Sequence, residues 1–267
     1  MKIALFPNYK KSGTEGLLKR VIEIISDKAE YEVIDSSLDA NETIKNADVV
    51  ITIGGDGTLI KHSKTASVYG KKCLGINSGR LGFLANIDEA NLDRLNNLFN
   101  GNYTVESRMM LSVDTFKNNE CIYSGIALND AVISSGSVAR LTDILLDVSG
   151  SEIEYRADGI IVSTPTGSTA YAMSAGGPII DPAIRGLAIT PICSHSLTAR
   201  PILTGEESVL TISLLESSRT NAYLTVDGKR SVEVTPDTKT VIKKSEFDAK
   251  LINLTGNTIY KTISLKF

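Results

Sequence analysis

The first hundred residues alternate two kinds of apolar pattern, and this alternation constrains the fold more than any other feature. "KIALF" (2–6) and "ADVVITI" (47–53) are apolar nearly throughout, as strands buried on both faces are. Between them "EGLLKRVIEIISDKA" (15–29) puts Leu17, Leu18, Val21, Ile22, Ile24 and Ile25 largely on one helical face. "KCLGI" (72–76) predicts a third strand, and "DEANLDRLNNLF" (88–99) a helix capped by Asp88. Strand and helix in alternation predict an α/β domain with a doubly wound, Rossmann-like parallel sheet. In such a sheet ligands sit beyond the carboxyl ends of the strands.

After Gly101 the texture changes to short strand-like runs separated by Asn, Gly and Ser, among them "SVLTISL" (208–214), "AYLTVDGKRSVEV" (222–234) and "KTVIKK" (239–244). They predict a second, mainly antiparallel β domain over 105–245 after an α/β domain over 1–104, with the active site between the two. Asp227-Gly228 is placed at the centre of a hairpin.

Charge and cysteine usage remove several function classes. Lys and Arg total 28 against 31 Asp and Glu, a net charge of −3, so no basic field exists to hold nucleic acid or an anionic membrane. A small anionic substrate would need local neutralisation by backbone amides, a few cations or a metal. Cys73, Cys121 and Cys193 are odd in number and lack metal-ligand spacing, which points to a reducing compartment. His62 and His195 have no Cys or His companion at ligand spacing and read as packing or surface residues. No apolar run approaches the roughly 20 residues of a membrane span, and "MKIALFPNYK" is too short a run for a signal peptide. A cytoplasmic protein is expected.

Four stretches carry chemistry. "ITIGGDGT" (51–58) follows a strand and leads into a helix from Thr58, so Gly54, Gly55 and Gly57 let amide groups face an anion. Asp56 is out of place in a pure phosphate cradle, because bound phosphate repels it. It suits a group that accepts a proton from an attacking hydroxyl or helps hold Mg²⁺. Taken alone, the stretch remains equally a tight turn. "GINSGRLGFLANI" (75–87) is a second glycine-rich loop after a neighbouring strand, with Arg80 available to phosphate or to solvent. "ALNDAVI" (127–133) sets Asn129 and Asp130 inside an apolar run, where an amide and a carboxylate can read a purine or a ribose, or simply turn a hairpin. "YRADGIIVSTPTGSTAYAMSAGGPIIDP" (155–182) holds a strand, a short helix to be capped by Ser168 or Thr166, and Tyr171 as a stacking face. "AMSAG" within it is not a nucleophile elbow, since the helix precedes Ser174 instead of following it.

Together, "GGDGT" (54–58), "GINSGRLGFL" (75–84), "LND" (128–130) and "DGIIVSTPTGSTAY" (158–171) resemble the successive motifs of bacterial NAD kinases. The resemblance implies phosphorylation of the adenosine ribose 2′-hydroxyl of NAD by ATP or polyphosphate, giving NADP, with Mg²⁺ or another divalent cation accompanying ATP. It implies Asp56 against that hydroxyl, and Gly54, Gly55, Gly57 and Thr58 around the donor phosphates, with Arg80 and Arg156 as further phosphate contacts. Asn129 and Asp130 would meet the adenosine, Thr169, Tyr171 and Ser174 the adenine side, and Asp158 and Ala170 the nicotinamide end. Asp227, in "VDG", is similar to a late family motif near the active site. Asp130 departs from the family's usual Glu, one methylene shorter. The resemblance also implies a C-terminal segment (246–267) packed back on the first domain, and a homodimer or homotetramer. "GGDG" is shared with diacylglycerol-type lipid kinases, which makes a lipid kinase the rival enzyme. A dinucleotide-binding sensor without turnover is the rival non-enzyme.

Overall fold

The computed structural model describes residues 1–79, 82–136, 141–218 and 221–266. The chain divides into two compact units, one of Met1–Arg108 with Phe247–Phe267 and one of Met109–Glu246.

In the first unit the order runs β1 (Lys2–Pro7), α1 (Thr14–Ile25), β2 (Glu30–Val33), α2 (Asn41–Asn46), β3 (Val49–Gly54), α3 (Asp56–Val68), β4 (Lys72–Asn77) and β5 (Ile87–Asp88). A 3-10 helix (Glu89–Leu95) and α4 (Asn96–Phe99) follow. Strands β2, β1, β3 and β4 lie in that order, all parallel. Every residue of β3 is buried, which explains a run that is apolar but for Thr52. Helix α1 covers the sheet with Leu17, Leu18, Val21 and Ile25, one stripe at helical spacing. Helix α3 buries Thr58, Leu59, His62, Ser63, Ala66 and Ser67, mostly small residues that let it lie close to the sheet.

The register sets Pro7 opposite Ile53 and Gly54 opposite Asn77, so three strands end along one edge. The order β2-β1-β3 reverses direction between β1 and β3, and that switch point is where open α/β sheets hold ligands. Two sequence expectations need correction here, and two elements are not anticipated by the sequence. Helix α3 begins at Asp56, not Thr58, because Gly55 is already its extended N-cap residue. The 88–99 helix is a 3-10 helix kinked at Asn91 and then a single α turn, although Asp88 does cap it through a reciprocal bond with Asn91. Strand β2 and helix α2, both short and mostly exposed, had no readable apolar period.

The second unit contains most of β6 (Thr104–Lys117), then β7 (Glu120–Ala127), β8 (Asp130–Ser135), β9 (Thr142–Val148), β10 (Ser151–Ala157) and β11 (Gly159–Ser163). A 3-10 turn (Thr166–Thr169) and α5 (Tyr171–Ser174) lead to β12 (Gly186–Ile192), β13 (Ile202–Gly205), β14 (Leu210–Leu214), β15 (Ala222–Val226), β16 (Lys229–Val234) and the first half of β17 (Thr238–Asn253). One antiparallel sheet runs β13-β12-β11-β8-β15-β16. Its core joins Ile133, Ile160, Val162, Ile189 and Leu224 to Ile144, Leu146, Ile212 and Ile242 of the other strands. Asp227 and Gly228 form the β15–β16 hairpin turn at φ 47° and 73°, as the Asp-Gly pair predicts.

The far half of β17 and α6 (Ile259–Lys266) return to the first unit. Lys250 and Leu251 pair in parallel with Lys72 and Cys73, and Ile252 and Leu254 enter its core.

Candidate active site

Two pockets hold most of the residues singled out in the sequence. The first, of 460 Å³, lies at the switch point and is lined by Asn8, Lys10, Lys11, Ser36, Ser37, Gly55, Asp56, Gly57, Thr58 and Lys61. Helix α3 starts here, and its N-terminal end, with Thr58 N–H already bonded to Gly55 O at 2.9 Å, has the polarity that suits an anion. Gly54 closes β3 behind the pocket. A Cβ on it would meet Thr58 Oγ1 at 2.6 Å, so the glycine is there for close packing, with no left-handed backbone at Gly54, Gly55 or Gly57. Thr58 Oγ1 accepts from Asn8 Nδ2 at 3.0 Å, tying the β1 loop to the β3 loop. The Lys11 amine lies against Gly55, and Lys61 Nζ donates to the carbonyls of Ser36 (2.5 Å) and Leu38 (3.2 Å). Three lysines therefore line the same pocket as Asp56.

Asn8, Lys10, Lys11 and Lys61 escaped the sequence reading. The signal for Asn8, Lys10 and Lys11 is only the place of "NYKK" directly after the first strand, at a carboxyl end like the glycine loops. His62, one residue beyond Lys61, is a packing residue. Its ring stacks on Phe6 at 4.0 Å, and burial pushes its pKa down to about 4.

The second pocket, of 300 Å³, is lined by Asn129, Asp130, Val132, Ser134, Ala170, Tyr171, Thr225, Asp227 and Gly228. The Asp227 carboxylate accepts the backbone N–H groups of Leu128 (3.0 Å), Asn129 (2.8 Å) and Asp130 (3.2 Å). On the other side Thr164 N donates to Asn129 O at 2.8 Å, and Thr164 Oγ1 to Leu128 O at 2.6 Å. The Asn-Asp pair is thus clamped by its main chain, leaving its side chains for the pocket. Asn129 Oδ1 is buried with no hydrogen-bond partner among the described residues, an acceptor suited to an amino group. Tyr171, 46% exposed, offers its ring face. The turn after β11 is capped by Thr164, whose Oγ1 accepts from Gly167 N at 3.0 Å, not by Thr166 or Ser168. Ser168 instead bonds the main chain at Pro165 and Ile180.

Burial, and then the charge of Asp227, push the Asp130 carboxyl up to about 7. An unfolded Asp titrates near about 3.9, so between the two values the folded chain holds the extra proton. Stability contributed at this site therefore falls as pH rises through that window and is level above it. Asp130→Asn is expected to stabilise the fold against urea at pH 8 but not at pH 4. An equal effect at both values would show that Asp130 ionises freely.

The remaining expected residues line neither pocket. Arg156 is exposed on β10 with its Nε 3.7 Å from Asp143 on β9. Asp158 follows that strand, its N–H bonded to Ile192 O. Thr169 Oγ1 turns back to Thr166 O at 3.3 Å, and Ser174 is exposed at the end of α5. Arg80 lies outside the described residues.

A lysine-lined anion site holding a single carboxylate, together with a pocket offering donors, acceptors and a ring face, is the equipment of a phosphotransferase acting on nucleotides. Residues 5–103 match the family model of the ATP-NAD kinase N-terminal domain, and residues 128–254 that of the C-terminal domain. The chain belongs to the NAD kinase family. The NAD kinase of Ruminiclostridium cellulolyticum is 35% identical over 88% of this chain and 83% of its own length. That of Acetivibrio thermocellus is 33% identical over 98% and 96%. Among solved structures, an NAD kinase from Archaeoglobus fulgidus in complex with ATP superposes with a TM-score of 0.81 at 26% identity, over 100% of this chain and 98% of that one. Yeast NADH kinase complexed with NADH gives 0.86 at 22% identity over 99% and 85%, a likeness of fold. The resemblance read from the motifs and the two-part fold class are both borne out. The lipid-kinase and sensor alternatives draw no support from these matches.

Proposed function

We propose that this chain is an NAD kinase that transfers a phosphoryl group from ATP, or from polyphosphate, to the adenosine ribose 2′-hydroxyl of NAD. The observation that carries the reading is Asp56 among Lys10, Lys11 and Lys61 at the start of α3, in a chain of this family. Phosphoryl transfer asks for positioning and charge neutralisation more than for covalent participation. In this reading the α3 amides and the lysines hold the donor phosphates, and Asp56 accepts the hydroxyl proton. Asn129, Asp130 and Tyr171 hold the adenosine, with Asp227 fixing the first two. Thr169, Ala170, Ser174 and Asp158 belong to the rest of the dinucleotide site by resemblance alone, as do Arg80 and Arg156 to the phosphates.

Among the described residues no cluster of His, Cys, Asp or Glu could hold a metal by itself. One carboxylate in a phosphate pocket fits Mg²⁺ carried on the donor, which usually takes one or two carboxylates plus substrate oxygens. Bound there, it would neutralise developing charge on the donor phosphates beside Asp56. No helix among the described residues is long and apolar enough to cross a membrane. A cytoplasmic homodimer or homotetramer is the assembly the family resemblance supports.

The test is NADP formation from NAD with Mg²⁺ and either ATP or polyphosphate, with diacylglycerol as the control acceptor. Absence of NADP with every donor would overturn the proposal, and phosphatidate formation would favour the lipid kinase. Within it, Lys11→Ala should raise the KM for ATP about 10-fold, the worth of one charge-assisted hydrogen bond. KM for NAD should not move. A change confined to NAD would take Lys11 out of the donor site.

A further inference from the structure

The Asp56 carboxylate makes no hydrogen bond at the N-terminus of its own helix. It reaches across to the loop between β4 and β5 and accepts three consecutive main-chain N–H groups: Phe83 at 2.8 Å on Oδ2, and Leu84 at 3.3 Å and Ala85 at 3.2 Å on Oδ1. That loop is itself held. Asn86 Nδ2 donates to Ile252 O at 2.6 Å, and Lys266 Nζ lies 4.8 Å from the centroid of the Phe83 ring. Gly82 opens the three-amide run, and a Cβ built on it would land on the carboxyl carbon and both oxygens of Asp56.

We infer that the Gly82–Ala85 loop is the positioning element of Asp56, and that Gly82 is a positioning residue whose missing side chain makes room for the carboxylate. Three converging donors fix both the place and the plane of the carboxyl group. They also make its two oxygens unequal. Oδ1 takes two N–H groups and Oδ2 one, so Oδ2 keeps a lone pair for a further hydrogen. Given the reading of Asp56 as proton acceptor, on which this inference rests, Oδ2 is the oxygen that meets the ribose hydroxyl. The glycine-rich stretch after β4 then serves the carboxylate through its main chain, a role independent of any contact its side chains make with phosphate.

Gly82→Ala tests this. The new methyl group meets the movable end of a side chain, so the fold tolerates it while the carboxylate is displaced. The expected result is a kcat for NADP formation lower by about 10²-fold, the cost of an ångström-scale misplacement, with KM for NAD and for ATP near wild type. Amide hydrogen exchange at Phe83, Leu84 and Ala85 should accelerate, as it should in Asp56→Ala. Added to Asp56→Ala, the Gly82→Ala change should lower neither kcat nor Tm further. Wild-type kcat in Gly82→Ala would overturn the inference, and so would unchanged exchange of the three amides in Asp56→Ala. The exchange comparison needs only Asp56→Ala, so it decides the matter even if Gly82→Ala does not fold. If the wild-type protein forms no NADP, the kinase reading falls, but exchange and the Tm cycle still report whether the loop holds Asp56.

Discussion

Asp56→Asn is expected to lower kcat for NADP formation by about 10²–10⁴-fold, the usual worth of a positioned general base. The amide isostere keeps the size of the side chain but cannot take a proton from the hydroxyl. It also turns an N–H₂ group toward loop amides that now donate to the carboxylate at 2.8–3.3 Å. NAD binding should stay close to wild type, because no contact of the nucleoside pocket runs through Asp56. A pre-steady-state assay at saturating NAD and ATP separates the two effects. Unchanged turnover would remove Asp56 from the chemistry.

The second large effect is expected at Asp227, in stability and NAD affinity together. Its carboxylate is the acceptor for three successive amides, Leu128, Asn129 and Asp130, at the mouth of β8. Asp227→Ala strands those donors, and a desolvated donor costs about 1–3 kcal/mol. Relief of the like charge beside Asp130 offsets part of this above neutral pH, so a net loss on the order of 3 kcal/mol is expected at pH 6. With the clamp gone, Asn129 and Asp130 lose their fixed aim and KM for NAD should rise. Denaturant melts at pH 6 and NAD titrations give both readouts. A variant as stable as wild type that binds NAD normally would show that Asp227 only turns the hairpin.

These two carboxylates mark how far the sequence could be read. Gly54–Thr58 reads as the carboxyl end of a strand because β3 is apolar but for Thr52 and α3 follows it directly. Asn129, Asp130 and Tyr171 were legible as chemistry because polar groups inside apolar runs must find partners. Their assembly with Asp227 was not derivable from spacing, since the amides lie 97–99 residues from the carboxylate. Lys10 and Lys11 carry only the weak signal of their place after a strand, because lysine in a loop is solvated by default and only the strand order makes that loop a pocket wall. The hold of Phe83, Leu84 and Ala85 on Asp56 is made by main-chain N–H groups, which every non-proline residue has, so no residue type announces it. The sequence pattern shows strand β17 only as far as residue 244, where its alternation of buried and exposed positions becomes irregular before Ala249 and Leu251–Leu254 turn inward.

The return of β17 has a consequence for biosynthesis. The second unit is one contiguous stretch, Met109–Glu246, whereas the first needs residues on either side of it. On the ribosome the first 108 residues emerge with the β4 edge open at Lys72 and Cys73 and a core that lacks Ile252 and Leu254. They remain so until the whole of the second unit has been made, although chains ordinarily fold from the N-terminus as they are synthesised. The part of the protein translated first is completed last. Throughout that interval an apolar strand with unpaired main-chain groups is available to any neighbouring chain.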